Sequence, residues 1–167
     1  IPYFVSEAIC HQFEQVLAGK TAFHFHPLRG RQVSLIQTKD HVLQDKVYAA
    51  TEAVTEKRLH QLGCKLISRQ RCAHNSVDVA AEIQAARTAG AELILLCGCS
   101  AIADRQDILP MAIEDAGGQI DQLGLAVDPG NMLLIGHIDS LPVIGMPGCA
   151  RSPKLNGFDW VLHLLLS

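Results

Sequence analysis

The sequence predicts an α/β fold, a three-layer α/β/α sandwich built around a mostly parallel sheet. From residue 32 onward, short apolar runs of strand length alternate with longer segments of helical periodicity. Glycines follow the predicted helices, as at Gly63, Gly90 and Gly117, which is typical of helix C-termini. Strands that alternate with helices require crossover connections, which place helices on both faces of the sheet.

The segment before this alternation predicts one helix. Residues 2–17 include Phe13 and Val16 in an approximate apolar stripe, and Gly19 ends it. Residues 21–30 are ambiguous and fit an edge strand. We therefore expect a helix and a lead-in segment ahead of the main domain.

The alternating part predicts six strands and four helices. The predicted strands cover residues 32–38, 64–71, 92–97, 119–123, 132–138 and 142–146. The predicted helices cover residues 45–62, 76–88, 107–116 and 153–166. Residues 92–97 are almost wholly apolar, which predicts an interior strand covered on both faces. Phe158, Trp160 and Leu162 are expected to be core contacts of the last helix.

Composition limits the classes of function. A chain of 167 residues with 49% apolar and 19% charged residues is long enough for one domain with its own core. A net charge of −3 argues against nucleic-acid binding and against a polybasic membrane surface. Neither a membrane span nor a signal peptide is recognisable. Six cysteines in so large and apolar a chain favour free thiols and a cytoplasmic location.

Two parts of the chain are expected, residues 1–30 as a helix with its lead-in and residues 31–167 as the main domain. The chain begins at Ile1 and ends on a segment that is still apolar at Leu166. We therefore expect both ends to have been cut from a longer polypeptide.

Three loops follow the carboxyl ends of predicted strands, where ligands bind in open α/β sheets. The first contains Thr38, and the third covers residues 147–152. The second, residues 98–107, is the predicted centre of the site. Its first residues are Gly98, Cys99 and Ser100, small enough to expose backbone N–H groups. It then presents Asp104, Arg105 and Asp107 at a helix start.

The third loop predicts an anion site. The strand over residues 142–146 breaks into Pro147-Gly148-Cys149-Ala150, and Ser152 and Pro153 have the residue types of an N-cap and first helical position. Backbone N–H groups at such a helix start bind anions, and small side chains let a ligand approach them. Arg151 adds a positive charge.

These motifs resemble the molybdopterin-binding domain family of molybdenum-cofactor biosynthesis, over roughly residues 31–167. The run from Pro147 to Ser152 resembles the family's Pro-Gly-Asn-Pro-x-Ser loop, with Cys149 and Ala150 in place of Asn and Pro. The run Asp128-Pro129-Gly130-Asn131-Met132 resembles its Lys-Pro-Gly-Lys-Pro loop without the lysines. These variant loop sequences most resemble the branch of the family in which the domain is fused to a nucleotidyltransferase-like domain.

The central loop also resembles the family. Gly98 and Ser100 match the glycine and hydroxyl positions of its Gly-Gly-x-Ser/Gly loop, while Cys97 replaces the first glycine. Asp107, with Ile108-Leu109-Pro110, resembles the Asp-Val-x-Pro of the adenylyltransferases. Asp104 equally matches the Gly-Asp of the molybdotransferases, so the choice between the two carboxylates stays open.

The resemblance implies that the domain binds molybdopterin or the molybdenum cofactor and presents it for metal insertion or nucleotide transfer. The residues expected to contact this ligand are Thr38, Gly98, Cys99, Ser100, Pro147, Gly148, Cys149, Arg151 and Ser152. Asp104 and Asp107 are the expected catalytic residues and Mg²⁺ ligands, because an aspartate facing an anionic ligand usually acts through a divalent metal.

Structural roles compete with these assignments. Asp107 and Ser152 are also N-cap candidates, and Arg105 is more simply a solvated surface charge. Cys97 and Cys99 are expected to be buried thiols rather than metal ligands, because they lack zinc-site spacing. The histidines, including His74, are expected at the surface.

Several functional alternatives stay open at this point. The altered loops favour a binding module over a molybdotransferase or adenylyltransferase, whereas the acidic pair supports catalysis. A nucleotide- or flavin-binding domain unrelated to molybdopterin is the alternative, although Walker and Gly-x-Gly-x-x-Gly motifs are missing. Expected partners are a pterin, a nucleotide, a fused or separate nucleotidyltransferase domain and a second copy of the chain, but neither nucleic acid nor membrane.

Overall fold

The computed structural model describes residues 5–18, 27–40 and 44–167. The strands are β1 (Gln32–Lys39), β2 (Lys65–Ala73), β3 (Leu93–Cys97), β4 (Gln119–Leu123), β5 (Leu134–Ile138) and β6 (Leu141–Gly145). The helices are α1 (Glu7–Leu17), α2 (Asp45–Gln61), α3 (Ser76–Thr88), α4 (Ile108–Asp115) and α5 (Gly157–Leu166), with a short 3-10 helix over Gly148–Arg151.

The six strands of the described part form one mixed sheet, in the order β2-β1-β3-β6-β5-β4. The first four of these strands are parallel to one another. Strands β5 and β4 continue the sheet in antiparallel fashion. The predicted α/β fold with a mostly parallel sheet is therefore confirmed.

Strand β3 lies at the centre of the core, between β1 and β6. Leu93 and Leu95 pack in the hydrophobic cluster that contains side chains of α2 and α5. Ile94 and Leu96 pack in the opposite cluster, with side chains of α3 and α4. All five residues of β3 are buried. The prediction of an interior strand covered on both faces is confirmed, and the sheet lies between two helical layers.

The last helix begins later than predicted. The sequence suggested a start at Ser152 and Pro153, but α5 begins at Gly157 with Asn156 as its N-cap. Asn156 and Asp159 form a capping box. The Asn156 side-chain oxygen accepts a hydrogen bond from the Phe158 backbone N–H. The Asp159 carboxylate accepts one from the Asn156 backbone N–H. The helix N-terminus predicted at Ser152 and Pro153 is therefore wrong, and an anion site in this loop stays a prediction without that helix start.

Arg58, on α2, explains why the chain from Ala150 to Lys154 does not form an α-helix. Its guanidinium donates hydrogen bonds to the backbone carbonyls of Ala150 (2.6 Å), Ser152 (2.5 Å) and Lys154 (3.1 Å). These carbonyls point at α2 instead of joining a helical ladder. The conformation of this loop thus depends on a distant residue as well as on its own sequence.

Two apolar surfaces differ from expectation. Phe158 and Leu162 are buried as predicted, but Trp160 is 56% exposed, on the outward side of α5. Helix α1 buries none of its residues.

The predicted helix start at residue 2 and most of the ambiguous segment 21–30 lie outside the described residues. No helix in the described part of the chain is long and apolar enough to cross a membrane.

Candidate functional site

The sheet has a topological switch point between the carboxyl ends of β1 and β3, and we call the region in front of it the crevice. From β1 the chain passes through α2 to β2 on one side, then crosses back through α3 to β3 on the other side. Helices α2 and α3 lie on opposite faces of the sheet. This reversal of strand order is where open α/β sheets bind ligands. Thr38 lies at the end of β1, and Gly98, Cys99 and Ser100 directly follow β3.

A chain of polar contacts joins these strand ends. The buried Thr38 hydroxyl oxygen accepts a hydrogen bond from the Cys99 backbone N–H at 2.9 Å. His74, in the turn between β2 and α3, places its Nδ1 2.8 Å from the same oxygen. The other ring nitrogen, Nε2, lies 2.9 Å from the Ser100 hydroxyl. Three consecutive parallel strands therefore contribute to one polar cluster, and Ser100 is its exposed end.

Arg151 connects the third loop to the same place. Its guanidinium donates to the Gly98 carbonyl and to the Thr51 hydroxyl on α2, each at 2.9 Å. The structure thus brings the loop after β6 next to the loop after β3. Because Arg151 is only half-buried, its positive charge reaches both the loop and the solvent in front of it.

The two aspartates shape the loop that contains them. One Asp107 carboxylate oxygen accepts hydrogen bonds from the backbone amides of Ala103 (2.7 Å) and Asp104 (2.9 Å). The Asp104 carboxylate accepts one from the Gln106 amide at 2.7 Å. The amides of Asp104 and Ala103 hold the pKa of the Asp107 carboxyl below its ordinary value. Asp107 occupies the N-cap position of α4, but its side chain makes no cap hydrogen bond to that helix.

The third loop divides its predicted residues between two places. Pro147 is buried, and Gly148 is exposed with open space where a Cβ would lie. Cys149 and Ser152 line a separate pocket of about 230 Å³ beside Pro129. They are therefore directed toward the start of α5, whereas Arg151 is directed toward the crevice.

Cys97 is buried as predicted, but Cys99 is half-buried, so the expectation that both thiols are buried is wrong for Cys99. This thiol belongs to a residue whose backbone is already part of the polar cluster.

A second pocket, of about 420 Å³, lies at the carboxyl ends of β1 and β2. Lys39, Asp40, Arg71, Cys72 and Ala73 line it. Within the described ranges no group of three His, Cys, Asp or Glu side chains is arranged to hold a metal ion. A Mg²⁺ at Asp104 and Asp107 would consequently need oxygens from a bound ligand to complete its coordination.

Two residues of this region were not foreseen. His74 was expected at the surface, although its position directly after a parallel strand is a signal for the site. Arg58 gave no such signal, because its partners lie 92 to 101 residues away in the chain. Only the folded structure shows that it fixes the third loop.

Comparison with known proteins decides the family. The family model described as "Probable molybdopterin binding domain" matches residues 34–166, which is most of the chain. The chain belongs to this family. A search of curated proteins gives no significant match. The family match favours the resemblance found in the motifs over an unrelated nucleotide- or flavin-binding domain.

Solved structures share the fold of this molybdopterin-binding domain. The protein CinA from Thermoplasma acidophilum, of unknown function, is 12% identical with a TM-score of 0.61, over 83% of this chain and 99% of that one. Molybdenum cofactor biosynthesis protein B is 14% identical with a TM-score of 0.55, over 84% and 99%.

The molybdopterin biosynthesis protein MoeA from Pyrococcus horikosii is 21% identical with a TM-score of 0.52, over 71% of this chain. The match spans only 30% of the length of that protein. At these identities the likenesses show the fold alone.

Proposed function

We propose that the domain binds molybdopterin or the molybdenum cofactor during cofactor biosynthesis, at the crevice between β1 and β3. The observation that carries the proposal is the convergence of Thr38, Ser100 and Arg151 at the topological switch point, in a chain of the molybdopterin-binding family. Molybdopterin offers a phosphate and a polar pterin. Hydroxyls, exposed backbone amides and a guanidinium are the groups that bind such oxygens and ring edges.

Gly148 supports a close approach of the ligand. Apart from its chain neighbours, no heavy atom lies within 4 Å of the position that a Cβ would occupy there, so packing within the domain does not require glycine. An exposed glycine next to the crevice leaves room for a ligand to reach the backbone. Cys149 and Ser152 contact the ligand only if it extends toward Pro129.

The aspartates have a double role in this proposal. Asp107 and Asp104 hold the loop by accepting backbone hydrogen bonds, and their outward oxygens serve as ligands for Mg²⁺ together with ligand phosphate oxygens. Since both carboxylates are already engaged with the backbone, a binding module is favoured over a catalytic transferase. Presentation of the cofactor for metal insertion or nucleotide transfer then depends on a partner.

The partner belongs to the same proposal. The variant loop sequences support a fused or separate nucleotidyltransferase domain that binds the same ligand. We propose a cytoplasmic location for both. A homo-oligomer is also proposed, from the family resemblance alone.

Calorimetry with purified molybdopterin, with and without Mg²⁺ and with ATP or CTP, tests this function. Asp104→Asn and Asp107→Asn should weaken Mg²⁺-dependent binding at a temperature where both variants remain fully folded, and Asp107→Asn should have the stronger effect. Asp115→Asn, at the opposite end of α4 and exposed, is the matched control and should bind normally. Undetectable binding by the wild type would refute the proposed function. Unchanged Mg²⁺ dependence in both aspartate variants would refute only the metal role.

A further inference from the structure

The His74 side chain forms hydrogen bonds with two of the predicted ligand residues. It follows β2 directly and is half-buried between Thr38 and Ser100. A solvated surface histidine would direct its ring nitrogens to water, whereas both ring nitrogens of His74 lie within 3 Å of a hydroxyl oxygen.

The tautomer of His74 decides which way the hydroxyl protons of Thr38 and Ser100 point. Its hydroxyl oxygen accepts from the Cys99 amide and has one proton of its own. When that proton is donated to His74 Nδ1, the neutral ring has its proton on Nε2, which donates to the Ser100 oxygen. A protonated ring also donates from Nε2. In both states the Ser100 proton is left to point away from His74. The neutral ring with its proton on Nδ1 would instead accept the Ser100 proton at Nε2, and an acceptor oxygen of a bound ligand in front of Ser100 disfavours that tautomer.

A His74 ring with a proton on Nε2 makes Ser100 an outward hydrogen-bond donor. Ser100 is exposed, so its proton is directed to the crevice mouth rather than to the protein interior. A donor held in one orientation suits an oxygen acceptor such as a phosphate or a pterin carbonyl. Without His74 the Ser100 hydroxyl rotates freely, and ligand binding then has to overcome the loss of this rotational entropy.

We propose that His74 is a positioning residue of the ligand site, which orients the Ser100 hydroxyl toward an oxygen of the bound phosphate-bearing pterin. It acts through Ser100 and does not itself need to touch the ligand. The proposal rests on the proposed function, because it requires that molybdopterin binds at this crevice.

A double-mutant cycle tests the proposal, with dissociation constants for molybdopterin measured by calorimetry. Ser100→Ala and His74→Ala should each weaken binding about tenfold, the effect of one hydrogen bond. The double variant should bind about as well as either single one, because both changes remove the same interaction. His60→Ala, an exposed histidine at the end of α2, is the matched control and should bind normally.

Two conservative variants separate positioning from general support of the fold. The amide of Gln reaches about as far as Nε2 and that of Asn about as far as Nδ1. His74→Gln should therefore retain most of the affinity, while His74→Asn should behave like His74→Ala. These two variants also keep the test decisive if the alanine variant folds poorly.

The outcomes distinguish the two proposals. Additive losses in the cycle, or normal binding by His74→Ala while Ser100→Ala is weakened, would overturn the role of His74 and leave the proposed function standing. Equal affinities of the Gln and Asn variants would also overturn it. Failure of the wild type to bind molybdopterin would overturn the proposed function and, with it, this inference.

Discussion

At the scale of single residues, Asp107 shows that a side chain in a cap position can serve its loop instead of its helix. One of its carboxylate oxygens accepts two backbone N–H bonds from the preceding residues. Asn has an equivalent amide oxygen, so the substitution preserves this geometry and removes only the charge. The residue's structural role and its proposed ligand role can therefore be separated.

The charge of Asp107 predicts a pH dependence of stability. Backbone hydrogen bonds make its pKa lower in the folded than in the unfolded state. Its stabilising contribution is then complete above the unfolded pKa, near 4, and is lost as the pH falls through the folded pKa. Thermal melts should show Asp107→Asn less stable than wild type at neutral pH, with the difference vanishing in acid. A constant difference at all pH values would contradict this.

At the scale of elements, both local sequence and a long-range contact determine where α5 begins. Local sequence ends the loop through the capping box of Asn156 and Asp159. Long-range contact from Arg58 keeps the preceding residues out of the helix. Arg58 also forms an ion pair with Asp159 at 2.7 Å, and both side chains are largely buried. The helix start is thus fixed from both sides.

The observed cap predicts which substitution weakens α5. Asn156→Ala should lower the free energy of unfolding by about 1 kcal/mol, because it removes an N-cap side chain. Ser152→Ala should change it by less than about 0.5 kcal/mol, because Ser152 caps no α-helix. Urea unfolding of both variants checks the difference. The reverse order of effects would restore the helix start predicted from the sequence.

Arg58 predicts a larger effect on the same region. Arg58→Met should lower the free energy of unfolding by about 3–5 kcal/mol, since it leaves the Asp159 carboxylate and several carbonyls without their buried partner. Arg69→Met is the control, because Arg69 pairs with Glu56 at the exposed surface and should cost at most about 1 kcal/mol. Similar values for the two variants in urea unfolding would show that the buried network adds nothing.

At the scale of the whole molecule, the sheet lies between two helical layers, and the layers decide which groups reach solvent. Cys64 and Cys97 are buried, while Cys10 on α1 is exposed. Burial raises the pKa of the Cys97 thiol to about 11, so its reactive thiolate form is scarce at neutral pH. The carboxyl ends of the parallel strands are not covered by these layers, and Ser100 is exposed there.

This burial predicts selective thiol chemistry in the native protein. With a thiol reagent such as DTNB at neutral pH, Cys10 should react at once, whereas Cys64 and Cys97 should react only after unfolding in urea. Cys10→Ser identifies the fast phase and serves as the control. Fast reaction of all six thiols in the native state would contradict the burial of Cys64 and Cys97.

The sequence by itself determined the fold class, the interior position of β3 and the order of the loops that mark the family. These properties depend on local periodicity, on the apolar run 92–97 and on glycines at helix ends, all of which are visible in neighbouring residues. The roles of the site residues stay predictions, although the strand ends that contain them were correctly recognised.

Tertiary structure decided the start of α5, the exposure of Trp160 and the bridge from His74 to Thr38 and Ser100. Each depends on groups far apart in the chain: Arg58 reaches a carbonyl 92 residues away, and His74 joins residues 36 and 26 positions away. A hydrogen bond of this kind exists only once packing has brought its partners within about 3 Å. No local pattern encodes that distance, so the geometry of the crevice followed from the fold.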